Sequence, residues 1–179
     1  MDRNEIIGII ENVLFAAGDA VETDVLSYIL DVPVSEIEEA LEEENARRAE
    51  AHGLIFRRFN RSVQLSTRDE YADYIVKLLG EKKAEELSKA TMETLSIIAY
   101  KQPVTRDEIE KIRGVSSSYT VGALLDKDLI EVKGRKDTIG RPKLYGTTEN
   151  FLRYFNIRDL SELPELREEE QETLEEEII

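Results

Sequence analysis

The sequence predicts a mixed α+β fold in which one small helical unit, closed by a β-hairpin, is used twice. The first observation is an internal repeat at a period of roughly eighty residues. ENVLFAAGDAVETDVLSYIL, which begins at Glu11, matches ETLSIIAYKQPVTRDEIEKI, which begins at Glu93, when Val21 is placed on Val104. The second is that the coinciding residues are apolar and recur at helical spacing. The third is a stretch of alternating apolar and polar residues late in each copy, the pattern of a hairpin.

The first unit opens with two helices separated by a glycine. A helix is predicted over Asn4–Ala16, with Gly18 as its stop, because glycine tolerates the left-handed conformation that ends many helices. A short helix is predicted to follow over Thr23–Leu30. These two helices supply the first layer of the unit.

A third helix and a hairpin complete the core of this unit. The helix is predicted to open at Ser35, because Ser35-x-x-Glu38 has the capping-box pattern, and to run to about His52 before Gly53. LIFRRFNRSVQLS then alternates around residues 60–61, as a two-stranded hairpin does.

A closing helix is predicted after this hairpin. Thr67-x-x-Glu70 has the capping pattern, and STRDEYADY (66–74) lies over GTTENFLRY (146–154) in the repeat. That alignment places Tyr71 on Phe151. The apolar residues of the closing helix, at helical spacing, are Tyr71, Tyr74, Ile75 and Leu78.

The second unit shows the same order of elements. A helix is predicted over about Ser88–Tyr100, and Thr105-x-x-Glu108 caps a second helix that ends at Gly114. A third helix is predicted over about Ser117–Asp126. The hairpin LIEVKGRKDTIGRPKLYGTT follows, with Gly134 and Gly140 in its turn, Pro142 before its return strand, and Thr148 at the start of a final helix.

Helix, helix, helix, strand, strand is the order of a winged helix-turn-helix domain, whose hairpin projects as the wing. The sequence therefore predicts two tandem winged helix-turn-helix domains, mostly helical, with short β-hairpin wings. The predicted bounds are residues 1–80 for the first domain, 81–86 for a charged linker and 87–164 for the second domain. The acidic tail at 165–179 is predicted to be disordered.

Charge is unevenly distributed along the 179 residues, whose formal net charge is -15. Residues 87–156 carry 12 Lys and Arg against 9 Asp and Glu, so the second domain is mildly basic in an acidic chain. This balance argues against bulk attraction to nucleic acid but leaves room for a local basic face. With 0 Cys, disulfides and thiolate metal sites are excluded, and a reducing cytoplasm is the expected compartment. No apolar run is long enough to cross a bilayer, so no membrane partner is expected.

Most of the sequence resembles a known protein family. ETLSIIAYKQPVTRDEIEKIRGV and LIEVKGRKDTIGRPKLYGTTENFLRYF strongly resemble the bacterial segregation and condensation protein B family, as do LFAAGDAVETDVL and FNIRDLSELP. The match spans approximately Glu5 to Pro164, and AYKQP and GRPKLYGTT are its most specific phrases. The tail after Pro164 lies outside the resemblance.

The resemblance implies an architectural role rather than a reaction. Members are non-catalytic subunits of the prokaryotic condensin-like complex, and they dimerise mainly through the N-terminal domain. They bind the kleisin subunit, segregation and condensation protein A, and through it the SMC ATPase. A homodimer in the cytoplasm, associated with the nucleoid, with indirect or weak DNA contact, is therefore expected to act in chromosome condensation and segregation.

The residues themselves predict no catalytic, cofactor or metal site. His52 is the only histidine, and its place near a predicted helix end favours a structural role. The carboxylates of EIEEALEEE (36–44) are typical of a solvated helix face. Neither a GxxxxGK[ST] nor a GxGxxG motif is present, so nucleotide chemistry has no visible site.

The basic wing is the first candidate binding surface. Its charges suit an acidic protein partner, the phosphates of DNA, or solvent alone. The preceding helix, SSSYTVGALLDKD, has no Arg for guanine and no Asn or Gln for adenine, which favours a protein partner; the alternative is a winged-helix DNA-binding transcription regulator. The wing residues predicted to bind a partner are Arg135, Lys136, Arg141, Pro142, Lys143 and Tyr145.

The first helix is the second candidate surface. Its apolar residues cover a wider arc than a small domain needs, while Phe15 points roughly opposite, and surplus apolar surface is typical of association sites. The closing helix is the alternative cover for this arc. The predicted dimer-interface residues are Ile6, Ile7, Ile10, Val13 and Leu14. Arg57, Arg58 and Arg61 on the first hairpin are expected to pair with the acidic third helix.

Overall fold

Each half of the chain builds its own core from the same succession of elements. The structure, a computed structural model, describes residues 1–49, 53–80 and 87–166. The chain separates into two compact units, Met1–Ala84 and Glu85–Ile179. Both have the helix, helix, helix, hairpin order of a winged helix-turn-helix domain, so the predicted fold class is confirmed. The predicted linker and His52 lie outside the described residues, as does the tail beyond residue 166.

The first unit has four α-helices and three strands in its described part. Asp2 caps the first helix with its carboxylate, and Gly18 ends it at φ 65°, as the sequence predicts. The elements are α1 (Arg3–Ala17), β1 (Val21–Glu22), α2 (Thr23–Leu30), α3 (Val34–Arg48), β2 (Leu54–Phe59), β3 (Ser62–Thr67), a 3-10 turn (Asp69–Tyr71) and α4 (Ala72–Leu79).

The second unit repeats this order with a longer hairpin. Gly114 ends its second helix at φ 67°, again as predicted, and the Thr148 hydroxyl caps its last helix by accepting from the Phe151 amide. The elements are α5 (Lys89–Lys101), β4 (Val104–Thr105), α6 (Arg106–Arg113), α7 (Ser118–Asp126), β5 (Ile130–Arg135), β6 (Lys143–Thr147), α8 (Glu149–Phe155) and a 3-10 turn (Leu160–Glu162).

Each hairpin is extended to a three-stranded antiparallel sheet by a strand of two residues. β1 pairs with β3 through Val21 and Val63, and β4 pairs with β6 through Val104 and Tyr145. The strand orders are β1-β3-β2 and β4-β6-β5. The two-residue strand, β1 in the first unit and β4 in the second, fastens the hairpin to the start of the second helix. The position of the wing is therefore fixed by the fold.

Two of the three predicted capping boxes do not form. Helix α3 begins one residue early, at Val34 with Pro33 as its N-cap, so Ser35 lies inside the helix and Glu38 pairs with Arg58 instead. Thr67 remains paired in β3 as the partner of Leu54, and a 3-10 turn precedes α4. In both places the tertiary pairing of the neighbouring strand and side chains outweighs the local pattern.

The core of the first unit ties α1, α3 and β2 together through apolar and ionic contacts. Ile10, Leu26 and Leu41 are fully buried in it. At its edge, Arg48 lies 4.8 Å from the centroid of the Phe56 ring, and its guanidinium donates to both carboxylate oxygens of Glu11 at 3.2 Å. The acidic partners on α1 and α3 hold the pKa of Arg48 above its usual value against the opposing effect of burial.

Candidate partner-binding surfaces

The wing of the second unit is a hairpin with a tightly closed seven-residue tip, residues 136–142. Arg135 pairs with Lys143 at the end of the ladder, and the Lys136 amide donates to the Pro142 carbonyl at 2.9 Å. The Arg141 amide donates to the Thr138 carbonyl at 2.9 Å. Two successive residues have positive φ, Gly140 at 85° and Arg141 at 44°. Glycine adopts this conformation freely, so the turn depends on Gly140 more than on any side chain.

Three of the four predicted wing cations are exposed and make no ion pair with another described residue: Arg135, Arg141 and Lys143. The fourth, Lys136, donates from Nζ to Glu108 at 2.6 Å and so fastens the wing to α6. Ile139 is completely exposed at the tip between these cations. The wing therefore offers three available positive charges around one apolar side chain.

A shallow cleft of about 270 Å³ lies between the wing and the start of α6. Arg106, Asp107, Pro142, Lys143 and Tyr145 line it. Tyr145 is only 8% exposed, because it belongs to the central strand β6, and it contributes little surface to any partner. The sequence predicts Tyr145 as a partner-binding residue of the wing, but the sequence pattern does not reveal that it is buried in the central strand.

The apolar arc of α1 is not surplus surface. Ile6, Ile7, Ile10 and Leu14 are 0–6% exposed in the core of their own unit, and Val13 packs partly buried against it. This corrects the expectation that these side chains remain uncovered. The arc is wide because α3 and β3 both pack on α1, so one helix serves two neighbours. The exposed large apolar residue of this helix is Phe15.

Two other helices of the first unit carry the exposed apolar faces. On α2, Val25, Tyr28 and Ile29 form one stripe at i, i+3, i+4 spacing; we call it the α2 face. On the closing helix, we call the stripe formed by Tyr71, Tyr74, Ile75, Leu78 and Leu79 the α4 face. Helix α4 has no buried side chain at all. The signal for the α4 face is present in the sequence as helical spacing, but spacing alone does not reveal whether a face is covered.

The arginines of the first hairpin pair within their own unit, and Arg58 pairs with the acidic third helix. Arg58 bridges to Glu38 of α3, Arg57 bridges to Asp69 at 2.7 Å, and Arg61 bridges to Asp24 at 2.5 Å. The expected pairing with α3 thus holds for Arg58, and the ion pairs of Arg57 and Arg61 described above are made with Asp69 and Asp24. These guanidiniums are already neutralised locally.

The described residues contain no group of three or more His, Cys, Asp and Glu side chains that is arranged to hold a metal ion. Over the same residues, none of the helices is both long and apolar enough to span a membrane.

Two winged-helix units in series define a tandem winged-helix protein. The family model for "Segregation and condensation complex subunit ScpB" matches residues 8–166. The segregation and condensation protein B of Alkaliphilus oremlandii is 46% identical over 92% of this chain and 89% of its own length. That of Oceanobacillus iheyensis is 43% identical over 94% of this chain and 88% of its own length. The chain belongs to the ScpB family, which confirms the resemblance found in the sequence.

A solved structure described as a dimer of the ScpB N-terminal domain complexed with a ScpA peptide is also similar to this chain. It is 31% identical, covers 40% of this chain and 91% of that chain, and has a TM-score of 0.38.

Proposed function

We propose that this protein is a homodimeric, non-catalytic subunit of a condensin-like SMC complex. It binds the kleisin subunit, segregation and condensation protein A, and through it affects the SMC ATPase. It acts in chromosome condensation and segregation in the cytoplasm, in association with the nucleoid. The observation that carries the proposal is membership of the ScpB family over residues 8–166. A 31% identical N-terminal domain has been solved as a dimer with a ScpA peptide, which supports both partners.

Within this function, the first domain, residues 1–80, is assigned to dimerisation and the second, residues 87–164, to partner contacts through its wing. The assignment of the wing follows from charge. Arg135, Arg141 and Lys143 carry available positive charge close together in a chain whose formal net charge is -15, so an acidic segment of a partner has a favourable place to approach at the wing. Such exposed charges mainly raise the association rate and fix the register, while apolar contacts supply most of the affinity.

A winged-helix DNA-binding protein inserts its third helix into the major groove, and the residues of that helix in this chain do not favour sequence-specific DNA reading. In this chain that helix is α7, SYTVGALLD, and its most exposed large side chain is Tyr119. It carries none of the Arg, Asn and Gln side chains that read guanine and adenine. A protein partner is therefore the better assignment for this domain.

The test is binding of the purified protein to purified segregation and condensation protein A at moderate salt. We expect a stable complex at micromolar concentration. Replacing Arg135, Arg141 and Lys143 together by Ala is expected to weaken it about 10-fold, mostly through slower association, because each exposed charge contributes about 0.5 kcal/mol. Stopped-flow association and equilibrium titration separate the two effects.

The matched control replaces Lys89, Lys101 and Lys111 by Ala, which removes the same charge from helices of the same domain and leaves the wing intact. An equal loss in both triple variants would show a general charge effect and contradict the wing assignment. Failure of the unaltered protein to form any complex would contradict the proposed function itself.

A further inference from the structure

The α4 face is apolar and has no cover among the described residues of its own unit. Tyr71, Tyr74, Leu78 and Leu79 are 42–80% exposed. Asp73 and Lys77 lie on the opposite side of the helix, as its spacing requires. A solvated helix of eight residues with such a face is marginal in water unless something covers it. A surface of this kind marks an association site.

The internal repeat shows what this helix does when it is covered. Tyr71 corresponds to Phe151 of the second unit, where the closing helix α8 buries that ring to 2% exposure and Leu152 to 5%. Tyr71 therefore keeps the aromatic ring of its counterpart but not the burial, whereas Tyr74 corresponds to Tyr154, which is 42% exposed in the second unit as well. The cover that the second unit supplies to α8 is missing for α4 among the described residues.

The α2 face is more apolar than the matching surface of the second unit. With Val21 placed on Val104, its residues Val25, Tyr28 and Ile29 correspond to Glu108, Lys111 and Ile112 of α6. Two of these three positions carry charge in the second unit and are apolar in the first. The α2 face is nevertheless 43–87% exposed. Among its described residues, the first unit thus presents two exposed apolar faces, one on α2 and one on α4.

We propose that these two faces cover each other between two copies of the chain: the α4 face of one copy packs on the α2 face of the second, and reciprocally. This inference rests on the proposed homodimer and names the elements that form it. A two-fold axis makes both contacts at once, as an isologous interface requires.

The area available supports the use of both faces. An aromatic side chain buries about 150–250 Å², and we take about 175 Å² as the mean for the mixed aromatic and aliphatic residues of these two faces. At the observed exposures, the α4 face offers roughly 450 Å² and the α2 face roughly 300 Å². A stable interface takes about 800 Å² from each partner, so neither face is sufficient alone and the two together approach the usual size.

The first experiment measures the molar mass of the full chain by light scattering at micromolar concentration. Leu78→Lys on the α4 face and Tyr28→Lys on the α2 face are each expected to raise the dimer dissociation constant at least 10-fold. Val76→Lys is the matched control, because Val76 is 44% exposed on the same helix but outside the α4 face, and it is expected to leave the dimer intact. Unchanged circular dichroism in all three variants separates lost association from lost folding.

The outcomes distinguish this inference from the proposed function. A monomeric unaltered protein contradicts the homodimer itself. A dimer that survives both Leu78→Lys and Tyr28→Lys leaves the homodimer in place and overturns the pairing of the two faces. If the Val76→Lys dimer dissociates as readily as the Leu78→Lys dimer, the pairing of the two faces is also overturned.

A cross-linking experiment tests the pairing directly, and the chain suits it because it contains 0 Cys. Leu78→Cys and Tyr28→Cys variants are prepared separately, mixed to allow exchange, and treated with a short bis-maleimide. We expect covalent dimers in the mixture and few with either variant alone. Dimers from Leu78→Cys alone, with no gain on mixing, would mean that α4 packs on α4 and would contradict the proposal, as would the absence of any cross-link.

Discussion

At the scale of single residues, the two phrases that carry the family resemblance meet at one point of the fold. Gln102 of AYKQP accepts from the Thr147 amide at 2.8 Å and donates to the Ala99 carbonyl at 3.2 Å. It thereby joins the end of α5 to the central strand β6. Gly146 lies directly beneath it, where a β-carbon would stand 2.7 Å from Gln102 Oε1 and 2.8 Å from Lys133 Cγ. The glycine is required by close approach rather than by its backbone angles.

Gly146→Ala is therefore expected to destabilise the second unit by about 1–3 kcal/mol, since the new methyl group must displace a side chain that is held by hydrogen bonds. The measurement is urea unfolding followed by circular dichroism. Gly122→Ala is the control with the opposite sign: Gly122 lies inside α7 with nothing within 4 Å of its would-be β-carbon, so about 0.5–1 kcal/mol of stabilisation is expected. Equal effects of the two substitutions would contradict the steric account.

At the scale of elements, the sequence predicted helices better than it predicted how they begin. Gly18 and Gly114 were identified as helix ends because a left-handed glycine is a local requirement of the chain. The predicted Ser35 cap does not form because α3 starts earlier, with Pro33 as its N-cap. The predicted Thr67 cap does not form because Thr67 stays paired with Leu54 in the sheet. The capping-box pattern contains neither signal. Strands β1 and β4 were not predicted, since two residues are too few for an alternating pattern.

The capping box that does form, Thr105 with Glu108, is also the anchor of the wing. Glu108 accepts from the Thr105 amide at 2.7 Å and from Lys136 Nζ at 2.6 Å. Burial alone would raise the pKa of Glu108, but the hydrogen bonds from Lys136 and Thr105 outweigh it and hold the pKa below its usual value. One carboxylate thus stabilises both the start of α6 and the position of the hairpin.

This carboxylate gives the second unit a predictable pH dependence. Because its pKa is lowered on folding, its contribution to stability is present above the pKa of the unfolded state and is lost as the pH falls through the lower pKa of the folded state. Glu108→Gln keeps a capping residue but cannot ionise, so unfolding measured from pH 6 to pH 3 is expected to show a shallower loss of stability. At pH 7 the variant loses at most about 1 kcal/mol. Identical pH profiles would contradict this role for Glu108.

At the scale of the whole molecule, the internal repeat predicted two domains and the charge count predicted their contrast in charge, while the location of exposed apolar surface needed the structure. The same helical spacing describes α1, whose apolar arc is buried, and α4, whose face is exposed. Only the number of neighbours packed on each helix separates the two, and that number is a property of the tertiary fold. The wing cations were predictable, because a charge run on a glycine-bounded turn has nowhere to be buried.

The net charge also limits what the wing does with DNA. If only Arg135, Arg141 and Lys143 contact phosphates, about three counterions are released on binding. A plot of the logarithm of the binding constant against the logarithm of the salt concentration is then expected to have a slope of about −2.7. Affinity for duplex DNA of arbitrary sequence then drops about 40-fold between 50 and 200 mM salt. The acidic remainder of the chain opposes binding further, since the formal net charge is -15. We expect no retained binding at physiological salt by fluorescence anisotropy at micromolar protein. A slope near −6, or binding that persists when all three wing cations are replaced by Ala, would mean that a second basic surface holds the DNA.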